Sequence, residues 1–168
     1  MYLAAINRDG TVSEFSGIVP DAGRSAIEST VQLYSRVGWA HPWIGYLAVE
    51  RDVCVGTCAF TRAPKENVVE MAYHTFPRHE GKGVATRMAS SLIALAKEFA
   101  PAVVITAHTL PEENASTRIL RKTGFELSGP RVHEEDGEIW VWRHQSATAQ
   151  PDHPPEPAPA SVTPSRRP

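Results

Sequence analysis

At 168 residues, with 42% apolar residues and a formal net charge of −2, the chain has the length of one domain with one core. Its charge gives no electrostatic footing for nucleic acid. No run of about 18 uninterrupted apolar residues occurs, and residues 1–21 lack a basic segment followed by an apolar one, so neither a membrane span nor a secretory leader is expected. A soluble cytoplasmic protein follows as the expectation. The two cysteines, Cys54 and Cys58, stand on one strand and point to one face about 13 Å apart, too far for a mutual disulfide. They read as small buried apolar residues.

In chain order, residues 1–6 predict a short edge strand closed by the turn Arg8-Asp9-Gly10. Ile27, Val31, Tyr34 and Val37 follow at helical spacing, on a helix capped near Asp21 and stopped by Gly38. The loop from Trp39 to Trp43 carries two large aromatics, which either plug the core or wall a substrate pocket. Strands are expected over 44–49 and 53–60 around the turn Glu50-Arg51-Asp52, and a further turn at 64–67 leads into a strand over 68–76. Val84, Met88, Leu92, Leu95 and Phe99 mark a long amphipathic helix ended by Pro101. The continuous apolar run 102–107 suits a strand covered on both faces and parallel to the one before the helix. A second helix is expected from Glu112-Glu113-Asn114 to Gly124, then a pair of strands over 125–128 and 139–142 around the turn at 134–137.

Beyond residue 145 the character changes. Of the chain's 14 prolines, seven fall between Pro151 and Pro168, amid Ala, Ser and Glu without apolar periodicity. Such a segment cannot offset its ordering entropy. The division expected is a folded domain over 1–145 and a Pro-rich disordered tail over 146–168.

The chemistry concentrates between residues 68 and 99. A β-branched and aromatic strand meets Pro77, which cannot donate to a ladder, and a loop with Gly81, Lys82 and Gly83 opens onto the long helix. Glycines let a backbone approach a ligand, and the first helical turn offers N–H groups without internal partners at the positive end of the helix dipole. The loop therefore reads as a phosphate cradle. It is not a P-loop, since no hydroxyl follows Lys82-Gly83, nor a dinucleotide fingerprint, since the third glycine is missing.

Arg78-x-x-Gly81-x-Gly83-x-Ala85 resembles the Gln/Arg-x-x-Gly-x-Gly/Ala signature of the GNAT acyltransferases. Glu70-Met71-Ala72-Tyr73 is similar to the Glu-Ile-Gly-Tyr of their ribosomal-protein-acetyltransferase branch, and the segment from Asn114 through Gly124-Phe125 to the helix and Gly-Phe that follow their fifth strand. The resemblance implies an α+β fold of the α/β GNAT type. Its mixed, mostly antiparallel central sheet is splayed between the fourth and fifth strands, with helices on both faces. It further implies an N-acetyltransferase that moves acetyl from acetyl-coenzyme A, without a metal, to a primary amine of a small molecule or a peptide N-terminus. The protein would be a monomer or homodimer with no nucleic-acid or membrane partner. A catalytically silent acetyl-coenzyme A-binding module of the same fold is the alternative.

Carried over residue by residue, the resemblance assigns main-chain groups of His74, Thr75 and Phe76 to the pantetheine amides and the thioester oxygen. Arg78, His79, Glu80, Gly81, Lys82, Gly83, Val84 and Ala85 fall to the pyrophosphate, and Asn114 to the cofactor. Glu70 is the candidate general base, or else a strand-face carboxylate that only orients something. Tyr73 is either the proton donor to the leaving thiolate or a packing residue, and His74 alternates with it in direction, so that one of the two faces the pocket. The tyrosine that many members carry in the second helix has Leu120 in its slot. His108, at the end of the fifth strand, either touches substrate or is structural.

Overall fold

The structure, a computed structural model, describes residues 1–133 and 137–144; the expected tail lies outside the described residues, as does most of the turn at 134–137. Seven strands form one mixed sheet: β1 (Tyr2–Ala5), β2 (Gly45–Glu50), β3 (Val53–Phe60), β4 (Val68–Thr75), β5 (Val104–Thr109), β6 (Glu126–His133) and β7 (Gly137–His144), in the order β1-β2-β3-β4-β5-β7-β6. Only β4 and β5 pair in parallel. The crossover between them is the helix α2 (Val84–Phe99). The last two strands exceed the expected lengths, and β7 inserts between β5 and β6. The hairpin thereby buries Trp142 completely.

The helices lie on both faces. Helix α1 (Asp21–Val37) packs where Gly45 meets Thr30. There the Tyr34 hydroxyl donates to the Ile6 carbonyl (2.9 Å) and accepts the Gly45 N–H (2.9 Å), which ties the helix to the end of β1 and the start of β2. Met88 of α2 presses on Gly56 from the other side, where a Cβ would stand 2.6 Å from the His74 carbonyl oxygen and 3.1 Å from the Met88 methyl. Glycine at 56 is therefore what allows α2 and β4 to close on β3. The helix α3 (Ala115–Lys122) shares the α2 side, with Leu120 buried and the Arg121 guanidinium 5.1 Å from the Trp142 ring centre.

Two expected faces shift. Helix α2 buries Ala89, Ile93 and Ala96 beside Val84, Met88 and Leu92, while Phe99 is 52% exposed. The alanines bring the helix axis close to the sheet and rotate its end outward. Val37 is likewise exposed, at the end of α1. Helix α3 starts at Ala115 rather than Glu112, because Asn114 is its N-cap: the side-chain oxygen accepts the N–H groups of Ser116 (2.9 Å) and Thr117 (3.2 Å). Cys54 and Cys58 are free and buried, and burial pushes both thiols up. No helix among the described residues is long and apolar enough to cross a membrane.

Candidate active site

The sheet parts between β4 and β5. Their pairing covers only Val68 with Val104, Val69 with Ile105 and Glu70 with Thr106. The parting therefore begins after Glu70, well before the expected Phe76-Pro77. On its other edge β4 stays paired with β3 through Thr75. The Glu70 carbonyl accepts the Thr61 N–H (2.9 Å) and the Phe76 N–H donates to Val55 (3.0 Å). In an antiparallel ladder alternate residues turn both peptide groups to one neighbour. Glu70, Ala72, His74 and Phe76 thus face β3, and Tyr73 and Thr75 face the gap. The free main-chain donors and acceptors expected at His74 and Phe76 belong instead to Tyr73 and Thr75.

Beyond Phe76, itself 5% exposed, Pro77–His79 makes one 3-10 turn. Gly81 (φ +69°) and Gly83 (φ +73°) then reverse the chain in the left-handed region, with Gly83 as the residue before α2. A Cβ at Gly81 would meet nothing within 4 Å. The N–H groups of Val84, Ala85 and Thr86, at the head of α2, have no partner within the helix. A cavity of about 490 Å³ opens here. Tyr73, His74, Thr75, His79, Glu80, Gly81, Gly83, Val84 and Ala85 all border it. Tyr73 and His74 both do so, although they project from opposite faces of β4, because the gap runs through the sheet.

Phe76, Arg78, Lys82 and Asn114 do not line it. The Lys82 ammonium donates to the Arg78 carbonyl (2.8 Å), back along its own loop, and the Asn114 side chain is committed to its cap. The far wall is α3, with Ser116, Arg118 and Lys122. Arg118 and Lys122 stand outside the expected binding residues, although their spacing of four on one helix face is a signal in the sequence. Neighbouring Arg121 points elsewhere: it grips Glu113 with two 2.6 Å hydrogen bonds, which hold that carboxyl at about 2.

Two buried hydroxyls on this wall, Tyr73 Oη and Thr75 Oγ1, have no hydrogen-bond partner among the described residues. An orphaned buried hydroxyl costs free energy unless something supplies its bond. Burial pushes the Tyr73 phenol up to about 12, so it is a neutral donor at physiological pH. A slot lined by two orphaned hydroxyls, by peptide groups turned outward and by the amides of a helix N-terminus fits an elongated amide-bearing phosphate ester such as coenzyme A.

On the opposite face, Glu70 Oε1 lies 3.1 Å from His108 Nδ1, each side chain a little over a quarter exposed. The His108 and His133 rings are 6.4 Å apart. A small cavity of about 120 Å³ is lined by Glu70, Tyr73, His108, Ser116 and Leu120, among others. It shares Tyr73 and Ser116 with the cavity at the α2 loop, and Glu70 and His108 with a cavity of about 580 Å³ on the face away from α2. Through these shared residues the three hollows adjoin across the parting of the sheet.

A family model described as an acetyltransferase (GNAT) domain matches residues 1–126. The chain belongs to the GNAT acetyltransferases. No curated protein matches it in sequence. Solved structures share the GNAT fold at low identity. The ribosomal-protein alpha-N-acetyltransferase RimL in complex with coenzyme A is 16% identical, with a TM-score of 0.59 over 73% of this chain and 71% of that one. The putative acetyltransferase yncA from Salmonella typhimurium, with acetyl-coenzyme A, is 22% identical, with a TM-score of 0.55 over 83% and 84%. An aminoglycoside acetyltransferase in complex with coenzyme A is 19% identical, with a TM-score of 0.53 over 61% and 65%.

The two tryptophans of the loop differ: Trp43 packs on the core, whereas Trp39 is 40% exposed. Trp43 stacks edge-on against Phe60 with ring centres 5.0 Å apart. Trp39 and His41 border a separate hollow beside Ser91 and Leu95 of α2. Neither tryptophan lines any of the three cavities at the parting.

Proposed function

We propose that the protein transfers acetyl from acetyl-coenzyme A to a primary amine, presented by a small molecule or a peptide N-terminus, by direct attack at the parting of β4 and β5. The observation that supports this reading is the set of three cavities at the parting of the sheet, the smallest of which shares Tyr73 and Ser116 with one neighbour and Glu70 and His108 with the other. One mouth offers phosphate-binding amides and the cations Arg118 and Lys122, so the cosubstrate enters there. The amine arrives from the face of Glu70 and His108.

An amine of lysine-like basicity, with a pKa of about 10.4, is protonated at neutral pH and must lose a proton before its nitrogen can attack. Glu70 takes that proton directly or through water, and His108, 3.1 Å away, fixes the carboxylate's direction. The nitrogen then bonds to the thioester carbon while the carbon–sulfur bond breaks, and the surplus proton left on the nitrogen passes to solvent as the neutral amide forms. The N–H groups of Tyr73 and Thr75, turned into the gap, receive the developing negative charge on the carbonyl oxygen. Tyr73 hydrogen-bonds the departing sulfur. Full proton transfer from a phenol held at about 12 to a thiolate of ordinary basicity, about 8.5, runs uphill by roughly three pKa units. Tyr73 thus steadies the thiolate, and solvent protonates it.

One observation favours the second reading, a silent acetyl-coenzyme A-binding module: the slot in which many members carry a tyrosine holds Leu120, which is fully buried. A free-thiol release assay with acetyl-coenzyme A across amines, amino acids and peptides separates the two. Turnover on any acceptor above the uncatalysed rate supports the enzyme; tight acetyl-coenzyme A binding without turnover on all of them leaves the module.

A further inference from the structure

The face from which the amine arrives is cationic. Its cavity is bordered by Arg62 and Lys65 from the β3–β4 turn, Arg131 from β6 and Arg143 from β7, against the carboxylates Glu66 and Glu70. Glu70 is engaged by His108. None of the four cations makes an ion pair with a described residue; the ion pairs of the described residues fall at Arg24, Arg87, His108 and Arg121. Glu126, the register partner of Arg143 on β6, leaves it unpaired, although the two are neighbours across the ladder. Surface cations ordinarily find such partners or scatter, whereas these converge on one concave face beside the candidate base.

The register sets the geometry. Glu70, Thr106 and Arg143 stand side by side across β4, β5 and β7. With strands about 4.8 Å apart, the Arg143 Cα lies roughly 10 Å from that of Glu70. His108, Val141 and Gly129 form the next row, and Arg131, two residues beyond Gly129 on β6, shares their face. A guanidinium fork is suited to grip a carboxylate or phosphate with two parallel bonds.

Resting on the acetyltransferase reading above, we propose that the acceptor is an amine with an anionic group: its nitrogen lies at Glu70, while a carboxylate or phosphate several bonds away is held by Arg143 and Arg131, with Arg62 and Lys65 extending the field. A small amino acid, a phosphorylated amine and a peptide with acidic residues after its free N-terminus share this chemistry.

Thiol release is measured with matched acceptors: β-alanine against β-alaninamide, phosphoethanolamine against ethanolamine, and hexapeptides with Glu against Gln at their second to fourth positions. The anionic member of at least one pair is expected to have a kcat/KM higher by about tenfold or more, equivalent to about 1.4 kcal/mol. That ratio should fall about tenfold in Arg143→Gln and in Arg131→Gln, each checked for a parental melting curve. It should also narrow between 0.05 and 0.5 M salt, where screening shortens from above 10 Å to a few ångströms. The pair with the largest ratio tells a small acceptor from a peptide one. Equal or inverted ratios, with turnover of the neutral members, overturn the anionic acceptor and leave the transferase standing. If no acceptor releases thiol, the transferase reading fails, and calorimetric titration of the Glu hexapeptide and phosphoethanolamine into the acetyl-coenzyme A complex decides this one. Binding that Arg143→Gln weakens upholds the anion site, and absence of binding removes it.

Discussion

Removing the Tyr73 hydroxyl should move stability and cofactor affinity in opposite directions. In the free protein this oxygen is buried without a partner among the described residues, so Tyr73→Phe discards a group that carries only its desolvation cost, about 1–3 kcal/mol for an unsatisfied polar atom. The ring, which packs against the core, stays. The free variant is expected to melt at the parental temperature or a few degrees above it, since 1 kcal/mol corresponds to roughly 2–4 °C at this chain length. If the hydroxyl bonds to the thioester portion of the cosubstrate, its loss weakens binding by about 1–1.4 kcal/mol, or five- to tenfold in Kd.

Linkage makes the two effects visible in one assay. At a ligand concentration of 100 Kd the parent gains about 2.7 kcal/mol. At the same concentration a variant with a tenfold weaker Kd gains about 1.4 kcal/mol, so its ligand-induced rise in Tm should be about half. Differential scanning fluorimetry with and without acetyl-coenzyme A reads both quantities. A free variant that melts several degrees lower, with an undiminished ligand response, would refute the reasoning, because the hydroxyl would then have its partner inside the protein.

Glu70→Gln should lower kcat by 10²-fold or more near neutral pH while leaving the KM for acetyl-coenzyme A unchanged. The deficit should shrink as the pH approaches the amine's own pKa, and equal activity of both proteins at every pH would remove Glu70 as the base. Gly81→Trp places an indole where no atom stands within 4 Å, in a φ of +69°. It should abolish acetyl-coenzyme A binding by calorimetry at a stability cost of about 1–2 kcal/mol for the left-handed conformation. Gly56→Ala pushes a methyl against the His74 carbonyl; it should cost about 1–3 kcal/mol in urea melts and spread β3 from β4. Burial, then the charge of Lys97, pulls the pKa of His144 down. The unfolded chain therefore binds this proton more readily, and stability falls as pH drops below about 6.5. His144→Leu should flatten the decline in Tm between pH 7.5 and 5.

The elements legible in the sequence were those whose signal is local. The stop of α1 at Gly38, the head of α2 at Val84 and the β2–β3 hairpin all rest on residues next to one another, and each stands where its residues place it. What the sequence hid was set by distant partners. That β7 slides between β5 and β6 depends on Trp142 finding Thr109, to which its ring N–H donates at 3.0 Å. That Lys82 bends back onto Arg78 while Arg118 and Lys122 line the gap depends on where α3 docks. The onset of the parting was equally invisible, because a strand's sequence does not record which neighbour stops pairing with it. Motif order identified the family; the peptide alternation that decides between His74 and Tyr73 came only from register.

The same register bears on Leu120, the feature that most favoured a silent module. Leu120 and Tyr73 border one small cavity, from α3 and from β4 respectively. Burial excludes water from both, and only one of them brings a hydroxyl. A phenol reaching this spot from the helix would stand next to the one from the strand, and two buried phenols would compete for a single acceptor. Leucine at 120 leaves Tyr73 alone with whatever acceptor enters, and burial raises the pKa of the strand phenol. The substitution is therefore consistent with moving the hydrogen-bond donor from helix to strand. Leu120→Tyr distinguishes the cases. If Tyr73 is the working donor, the added phenol crowds the cavity and lowers kcat; if the fold is silent for want of a helix phenol, the same change should raise thiol release above the parent.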